Sequence, residues 1–419
     1  MLIRSGFGVA IAAIGFIALG QTSTAVAQGA GCTGNGKISK QIAKPMAAAQ
    51  DAQKARKWQE VLSKTREAEA VPGGKSQFDQ YWISEFRGYA YHNLKQVPEA
   101  ARELENALNS PCMPEANKAE RYKSLVGLYT SLRNYPKAIE YGNRALKVSR
   151  DADTQVLVAQ AYYQSGNNKD AVRVMNELMA SFEQRGQVPK EQQLLLVQSA
   201  CSRVGDKVCV AKVFEKLVIN YPKTEYWQNL MSALRNTDVD DLQRLNIMRL
   251  STQVNVMKDP EEFKEMAQLA LEEKLAGEAQ SVLEQGFSKK IFTQERDVSV
   301  NNRLLAVAKK EAEADKASLP KREAEARAAA TGDTAVKVGA QYLGFGDAAK
   351  AVDLIQKGIT KGSIAKGDPK EKQRVDEASL LLGIAHLRNN NKVEAAKAFR
   401  GVKNDPTMVR IAKLWLLNT

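Results

Sequence analysis

A repeat within the chain constrains its fold more than any other feature. Residues 119–150 read AERYKSLVGLYTSLRNYPKAIEYGNRALKVSR, and residues 152–185 read ADTQVLVAQAYYQSGNNKDAVRVMNELMASFEQR. With Ala171 set beneath Ala138, Val158 falls beneath Leu125, Tyr162 beneath Tyr129 and Leu178 beneath Ala145. Each copy holds two apolar stripes of helical period, split by a polar turn at Arg133-Asn134 or at Gly166-Asn167. A helix pair rewritten about every 34 residues is the signature of a solenoid, in which each pair buries its apolar face only against its neighbours. Alternating β-branched runs bounded by turns are missing, so the chain reads as all-α.

The pattern resembles the tetratricopeptide repeat. Large residues at Tyr122, Leu125 and Tyr129 and small ones at Ala138 and Ala145 fit the family motif, while Val126 and Gly142 depart from it. A small residue on each helix lets the two backbones approach, and large ones fill the groove beside them. The small position recurs at Val61, Ala100, Ala138, Ala171, Val210, Ala279, Ala351 and Ala395. The resemblance implies a right-handed superhelical solenoid of antiparallel helix pairs.

In chain order, repeats run over residues 40–293. Pairs are expected at Lys40–Ala70 and Gln77–Asn109, from Ala119 and from Ala152, and at Glu191–Pro222. A degenerate pair without small residues follows at Thr224–Met257, and a regular one at Pro260–Phe292. Residues 294–331 are rich in Ala, Lys, Glu and Arg. Lys309 and Glu313, like Glu323 and Arg327, have the spacing of helical ion pairs. Pro320 is expected to break or restart this helix. The segment reads as a charged helical connector, either a flexible joint or an ordinary repeat with long exposed faces. Residues 332–419 resume the repeats, and Met408–Leu417 forms a last helix that covers the open end of the core.

Residues 1–27 read as an export signal. Arg4 precedes the apolar run Gly6–Gly20, and Ala25-Val26-Ala27 offers the small-x-small site, so the mature chain should begin at Gln28. The run is short for a retained anchor, and Gly29-Ala30-Gly31 lacks the Leu that precedes a lipidated Cys32. Residues 28–39 form an N-terminal segment. With no other stretch apolar enough to span a bilayer, the expectation is a soluble periplasmic protein of Gram-negative type.

Export gives weight to the cysteines Cys32, Cys112, Cys201 and Cys209, an even count in an oxidising compartment. Three pairings are open, beside buried free thiols. Repeat register places Cys201 and Cys209 opposite each other across one hairpin, which leaves Cys32 with Cys112. No CxxC occurs, and with His92 and His386 the only histidines, a zinc site is not expected.

No glycine-rich phosphate loop, HExxH or GxSxG is present, so neither enzyme nor cofactor is expected. His386 takes the core position of Tyr129 and Tyr162. In the family, ligands lie in a trough lined by the first helix of each pair. Carried over one repeat at a time, the groove positions are Trp82, Glu85, Tyr89, His92 and Asn93, then Lys123 and Thr130, then Tyr163 and Gln164. Aromatic rings beside amides suit an extended peptide. Gly127 stands where the chaperone-tail clamp of some family members needs an Asn. The net charge of +13 is spread along many helices. In an exported chain without a basic-aromatic motif, that does not point to nucleic acid. The reading is therefore a non-enzymatic scaffold for a protein or peptide of the cell envelope. The alternative is a module for an anionic cell-wall or polysaccharide polymer.

Overall fold

The computed structural model describes residues 31–32 and 36–419, so the expected export signal lies outside the described residues. They form twenty α-helices and no strand. The chain divides into two compact units, Met1–Gly205 and Asp206–Thr419.

Unit 1 stacks α1 (Lys40–Lys54), α2 (Trp58–Ala70), α3 (Gln77–Asn93), α4 (Val97–Asn109), α5 (Glu115–Ser131), α6 (Tyr135–Val148), α7 (Ala152–Gln164), α8 (Asn168–Gln184) and α9 (Glu191–Val204). Val61, Ala100, Ala138 and Ala171 are fully buried, as close helix packing requires. α5 begins four residues before the expected Ala119: Pro114 sets an extended N-cap, and Glu115 complements the helix dipole. α3 starts from a capping box, Ser76 with Asp79. The buried Asp79 carboxylate also accepts hydrogen bonds from the amide and hydroxyl of Ser39. Burial pushes its pKa up, but the bonds from Ser39 and Ser76 hold it below the ordinary value. The N-terminal segment is stapled over this end by a Cys32–Cys112 disulfide, with Cα atoms 4.5 Å apart. Cys32 and Ile38 pack on the cluster that contains Ile42, Met46 and Phe86.

Unit 2 contains α10 (Lys207–Asn220), α11 (Thr224–Arg235), α12 (Asp241–Gln253), α13 (Pro260–Glu272), α14 (Ala276–Ser288), α15 (Glu295–Ala328), α16 (Asp333–Gly344), α17 (Ala348–Lys361), α18 (Glu371–Arg388), α19 (Lys392–Arg400) and α20 (Pro406–Leu416). Ala279, Ala351 and Ala395 are fully buried at the expected small positions. Val210 is half-exposed and its neighbour Ala211 is fully buried, so the register there slips by one.

Pro320 does not break the charged segment. α15 is one helix of 34 residues that runs through it. The hydrogen bond lost at an internal proline is offset by packing against α14 and α16, which buries Ala308, Ala312, Leu319 and Ala326. The helix end is fixed as well: the Lys361 ammonium donates to the carbonyls of Ala326, Arg327 and Ala329 at 3.1, 2.9 and 2.6 Å. Lys309 pairs with Glu284 of α14 rather than with Glu313, whereas Glu323 does pair with Arg327. α15 is thus neither a helix pair nor a free joint.

Within unit 2, α14 meets α16, α16 meets α18, α18 meets α20, and α20 meets α12. These helices form an inner circle that closes on itself. Arg249 of α12 makes the closure: its guanidinium pairs with Glu278 of α14 at 2.7 Å and with Glu377 of α18 at 3.2 Å. Around it, Gln243 donates to Asp405 at 3.1 Å, Lys370 pairs with Asp240 at 3.3 Å, and Arg374 pairs with Glu273 at 2.6 Å. α20 therefore does more than cover an end, since it also packs on a helix far earlier in the chain.

Candidate functional site

Alternate helices of unit 1 approach one another past the helix between them: α1 touches α3, α5 touches α7, and α7 touches α9. These odd-numbered helices line the inner side of the stack. All nine expected groove residues lie on α3, α5 and α7, and the structure sorts them into buried and accessible ones.

Trp82 and Glu85 do not face the groove. Trp82 is packed among Phe78, Tyr81 and Phe86 and belongs to the core shared with α1 and α2. Glu85 is 2% exposed and accepts both its bonds from the Arg121 guanidinium of α5, at 2.7 and 2.5 Å. Burial pushes the Glu85 pKa up, and Arg121 opposes that shift. This pair ties α3 to α5 beneath the surface, and removing either partner would leave a buried charge alone.

The other seven remain within reach of solvent. Tyr89 is half-buried, with Trp58 edge-on against its ring at 5.4 Å. His92 is half-buried, and burial lowers its pKa, so it is neutral at pH 7. Asn93 is exposed and donates to the Tyr89 carbonyl at 2.8 Å. Lys123 reaches from α5 towards the start of α7, 3.6 Å from Asp151 and 3.9 Å from Asp153, so its charge is already answered. Thr130 is half-buried, but its hydroxyl oxygen is shielded from solvent and has no hydrogen-bond partner among the described residues. Tyr163 is half-buried beneath the Arg203 guanidinium of α9, which lies 4.0 Å from the ring centre, and Gln164 beside it is exposed. The accessible ones among these residues thus offer amides, a neutral imidazole and aromatic edges.

Sequence reasoning missed Arg121, Trp58 and Arg203. Arg121 stands 36 residues after Glu85 and two before Lys123, which holds the equivalent motif position, so repeat register alone does not pair them. His386 of unit 2 is half-buried, and burial lowers its pKa. All four cysteines are disulfide-bonded and none is free.

The inner circle of unit 2 is filled by its own side chains. Its small central cavity is lined by Arg249, Glu278, Leu343, Leu381, Ile384 and Arg388. Burial works against the charge of Arg249, but Glu278 and Glu377 hold its pKa above the ordinary value. Glu278, likewise buried, is kept below its ordinary value by Arg249. Among the described residues no three His, Cys, Asp or Glu converge as metal ligands, and no helix is long and apolar enough to cross a membrane.

Residues 342–409 match the family model of the tetratricopeptide repeat, a span that runs from α16 into α20. No curated protein matches the sequence. Among solved structures, the chain is similar to a tetratricopeptide repeat protein from Parabacteroides merdae ATCC 43184, at 12% identity and a TM-score of 0.35, covering 64% of this chain and 99% of that one. It is also similar to a chain of Naa15/Naa10 bound to HypK-THB, at 15% identity and a TM-score of 0.28, covering 89% of this chain and 61% of that one. A chain of the APC/C hetero-tetramer Cut9-Hcn1 is similar at 12% identity and a TM-score of 0.27, with 91% of each chain covered.

Proposed function

We propose that this chain, which is a tetratricopeptide repeat protein, is a non-enzymatic scaffold that holds an extended segment of a partner protein on the inner face of unit 1. The observation that carries the reading is the contrast between the units. Unit 2 crosses its own inner circle with the buried Arg249, Glu278 and Glu377 network. Unit 1 leaves Tyr89, His92, Asn93, Tyr163 and Gln164 within reach of solvent on α3 and α7. Half-buried aromatics beside amides are what a peptide backbone with occasional apolar side chains needs. Trp82 and Glu85 support this face from below and are not part of the contact.

Export to the periplasm and an envelope partner belong to the same proposal. The export signature at Ala25-Val26-Ala27 supports them, and bonded cysteines suit an oxidising compartment. Sequencing the N-terminus of the chain from a periplasmic fraction should return Gln28, and a start at Met1 would remove this part of the reading.

Affinity capture from an envelope extract tests the groove. Tyr89→Ala with Tyr163→Ala should weaken capture of the partner on the order of tenfold or more. The melting temperature should change little, because both rings are half-buried. Glu261→Ala, on an exposed surface of unit 2 where Glu261 pairs with Lys264, should leave capture unchanged. A folded double variant that captures every partner as the parent does would move the binding face elsewhere.

A further inference from the structure

The turns that end the inner helices of unit 1 carry charges that neither the core nor the inner face uses. After α1, α3 and α5, one residue takes the left-handed conformation: Arg56 at φ 56°, Lys95 at 60° and Arg133 at 56°. After α7 and α9 the corresponding residues are Gly166 and Gly205. Glycine is the usual occupant of this position, and a side chain there costs roughly 1–2 kcal/mol. Three consecutive repeats nevertheless place a cation at it.

Helix capping does not account for the choice. The backbone amides of Arg56, Lys95 and Arg133 donate to the carbonyls of Gln53, His92 and Thr130 at 3.0 Å each, and the amide of Gly205 does the same to Ser202 at 3.1 Å. The side chains take no part. All three are exposed, and among the described residues none has a hydrogen-bond or ion-pair partner.

Other cations nearby are answered. Lys54 pairs with Asp51, Lys57 with Glu60, and Lys137 with Glu105. At the opposite edge of the unit, the Lys75 ammonium donates to the carbonyls of Val71 and Gly73, and Arg150 pairs with Glu177. Successive helices are antiparallel, so α1, α3 and α5 run the same way and their C-terminal ends share one edge. The free cations thus form a row at one edge with one charge per repeat; α1 packs directly on α3, and α3 is joined to α5 chiefly through α4.

We propose that this row docks an acidic, extended segment of a protein, with a carboxylate at about every third residue. A polyproline II segment rises about 3.1 Å per residue and turns once every three, so it presents every third side chain on one face, towards the row. The row passes the end of α3, where His92 and Asn93 stand at the accessible inner face, so a single polypeptide can follow both surfaces. The inference goes beyond the inner-face reading and can fail without it.

The test uses the mature chain and a labelled peptide of three Asp-Ser-Gly units, with an Asn-Ser-Gly counterpart, followed by fluorescence anisotropy at low and high salt. The Asp peptide should bind at least tenfold tighter than the Asn peptide and lose that advantage at high salt. The variant Arg56→Gly/Lys95→Gly/Arg133→Gly should lose at least tenfold in affinity for the Asp peptide. Glycine suits all three backbones, so a thermal melt no lower than the parent's confirms that the fold is kept, and an Arg56→Gln/Lys95→Gln/Arg133→Gln variant should repeat the loss. Equal binding of the two peptides, or a triple variant that binds as the parent does, would overturn the proposal. So would stronger binding of polyphosphate or of anionic phosphatidylglycerol vesicles through the same residues, which would assign the row to a non-protein partner. Loss of the Asp peptide in Tyr89→Ala/Tyr163→Ala but not in the triple variant would place its binding on the inner face and equally overturn the row.

Discussion

The Cys32–Cys112 disulfide should stabilise the first helix pairs of unit 1 and leave unit 2 untouched. The bond joins residues 80 apart in sequence and encloses α1 to α4. In the chain-entropy model a loop of that length removes about 15 cal/mol/K from the unfolded ensemble, or about 4.5 kcal/mol at 25 °C. The realised effect should be smaller, because a solenoid unfolds by stages and only the repeats inside the loop feel the constraint. Replacing both cysteines by Ser also places a hydroxyl where Cys112 is 1% exposed, which adds to the loss. We therefore expect Cys32→Ser/Cys112→Ser to destabilise the first two helix pairs by about 2–4 kcal/mol. Hydrogen exchange read by mass spectrometry resolves the location. Protection in α1 and α2 should fall about 30-fold or more, since 1.4 kcal/mol is a factor of ten, while α16 to α19 stay as protected as in the parent. A change below threefold in α1 and α2, or an equal loss in α16 to α19, would refute the picture of a local staple. Non-reducing peptide maps of the same samples should recover Cys32 with Cys112 in the parent, and Cys201 with Cys209 in both proteins.

Two further outcomes follow from the packing. Arg249→Leu leaves Glu278 and Glu377 buried without their shared cation and should cost about 3–5 kcal/mol in unit 2, measured by denaturant unfolding. Because Arg249 holds the pKa of Glu278 below its ordinary value, the stability from this pair is present above the ordinary carboxylate range and is lost as pH falls through the lowered one. The variant's acid-unfolding curve should therefore be flatter than the parent's. Gly88→Ala drives a Cβ into the Leu104 side chain and should cost about 1–3 kcal/mol by thermal melt. A neutral result would mean that α3 and α4 are not packed as closely as described.

The repeat register was legible because it rests on local chemistry. A small residue must stand where two helices touch, and Ala100, Ala138 and Ala171 announce that contact at regular spacing. Only the fifth repeat misled, where Val210 and Ala211 are adjacent and either could be the small residue. α15 was not legible for the opposite reason. Its propensity signals point both ways: Ala, Lys and Glu favour a long helix, while Pro320 argues against one. The decision came from tertiary packing on α14 and α16 and from the Lys361 cap, which sits 32 to 35 residues from the carbonyls it bonds.

The inner face was half legible, and the reason lies in α3. Motif position predicts which way a side chain leaves a regular repeat, but it assumes that only one face of the helix is buried. α3 carries Phe78, Tyr81, Trp82, Ile83 and Phe86 within nine positions, too many large apolar groups for a single face. That density is itself a signal of burial on two sides, and it explains why Trp82 and Glu85 turn inwards while Tyr89 and His92, one turn later, do not. The closure of unit 2 left no comparable trace. Arg249 and Glu377 are 128 residues apart, and in sequence each is one of many charged residues on a helix. What marks α12 is burial on every side, including Gln243, Asn246, Arg249 and Ser251. The missing small residues that made Thr224–Met257 read as a degenerate repeat fit this position: α12 packs on α13 and α20 and meets α14 and α18 through an ion network, so it does not need one close partner. The weakest stretch of the repeat pattern is thus the helix around which unit 2 closes.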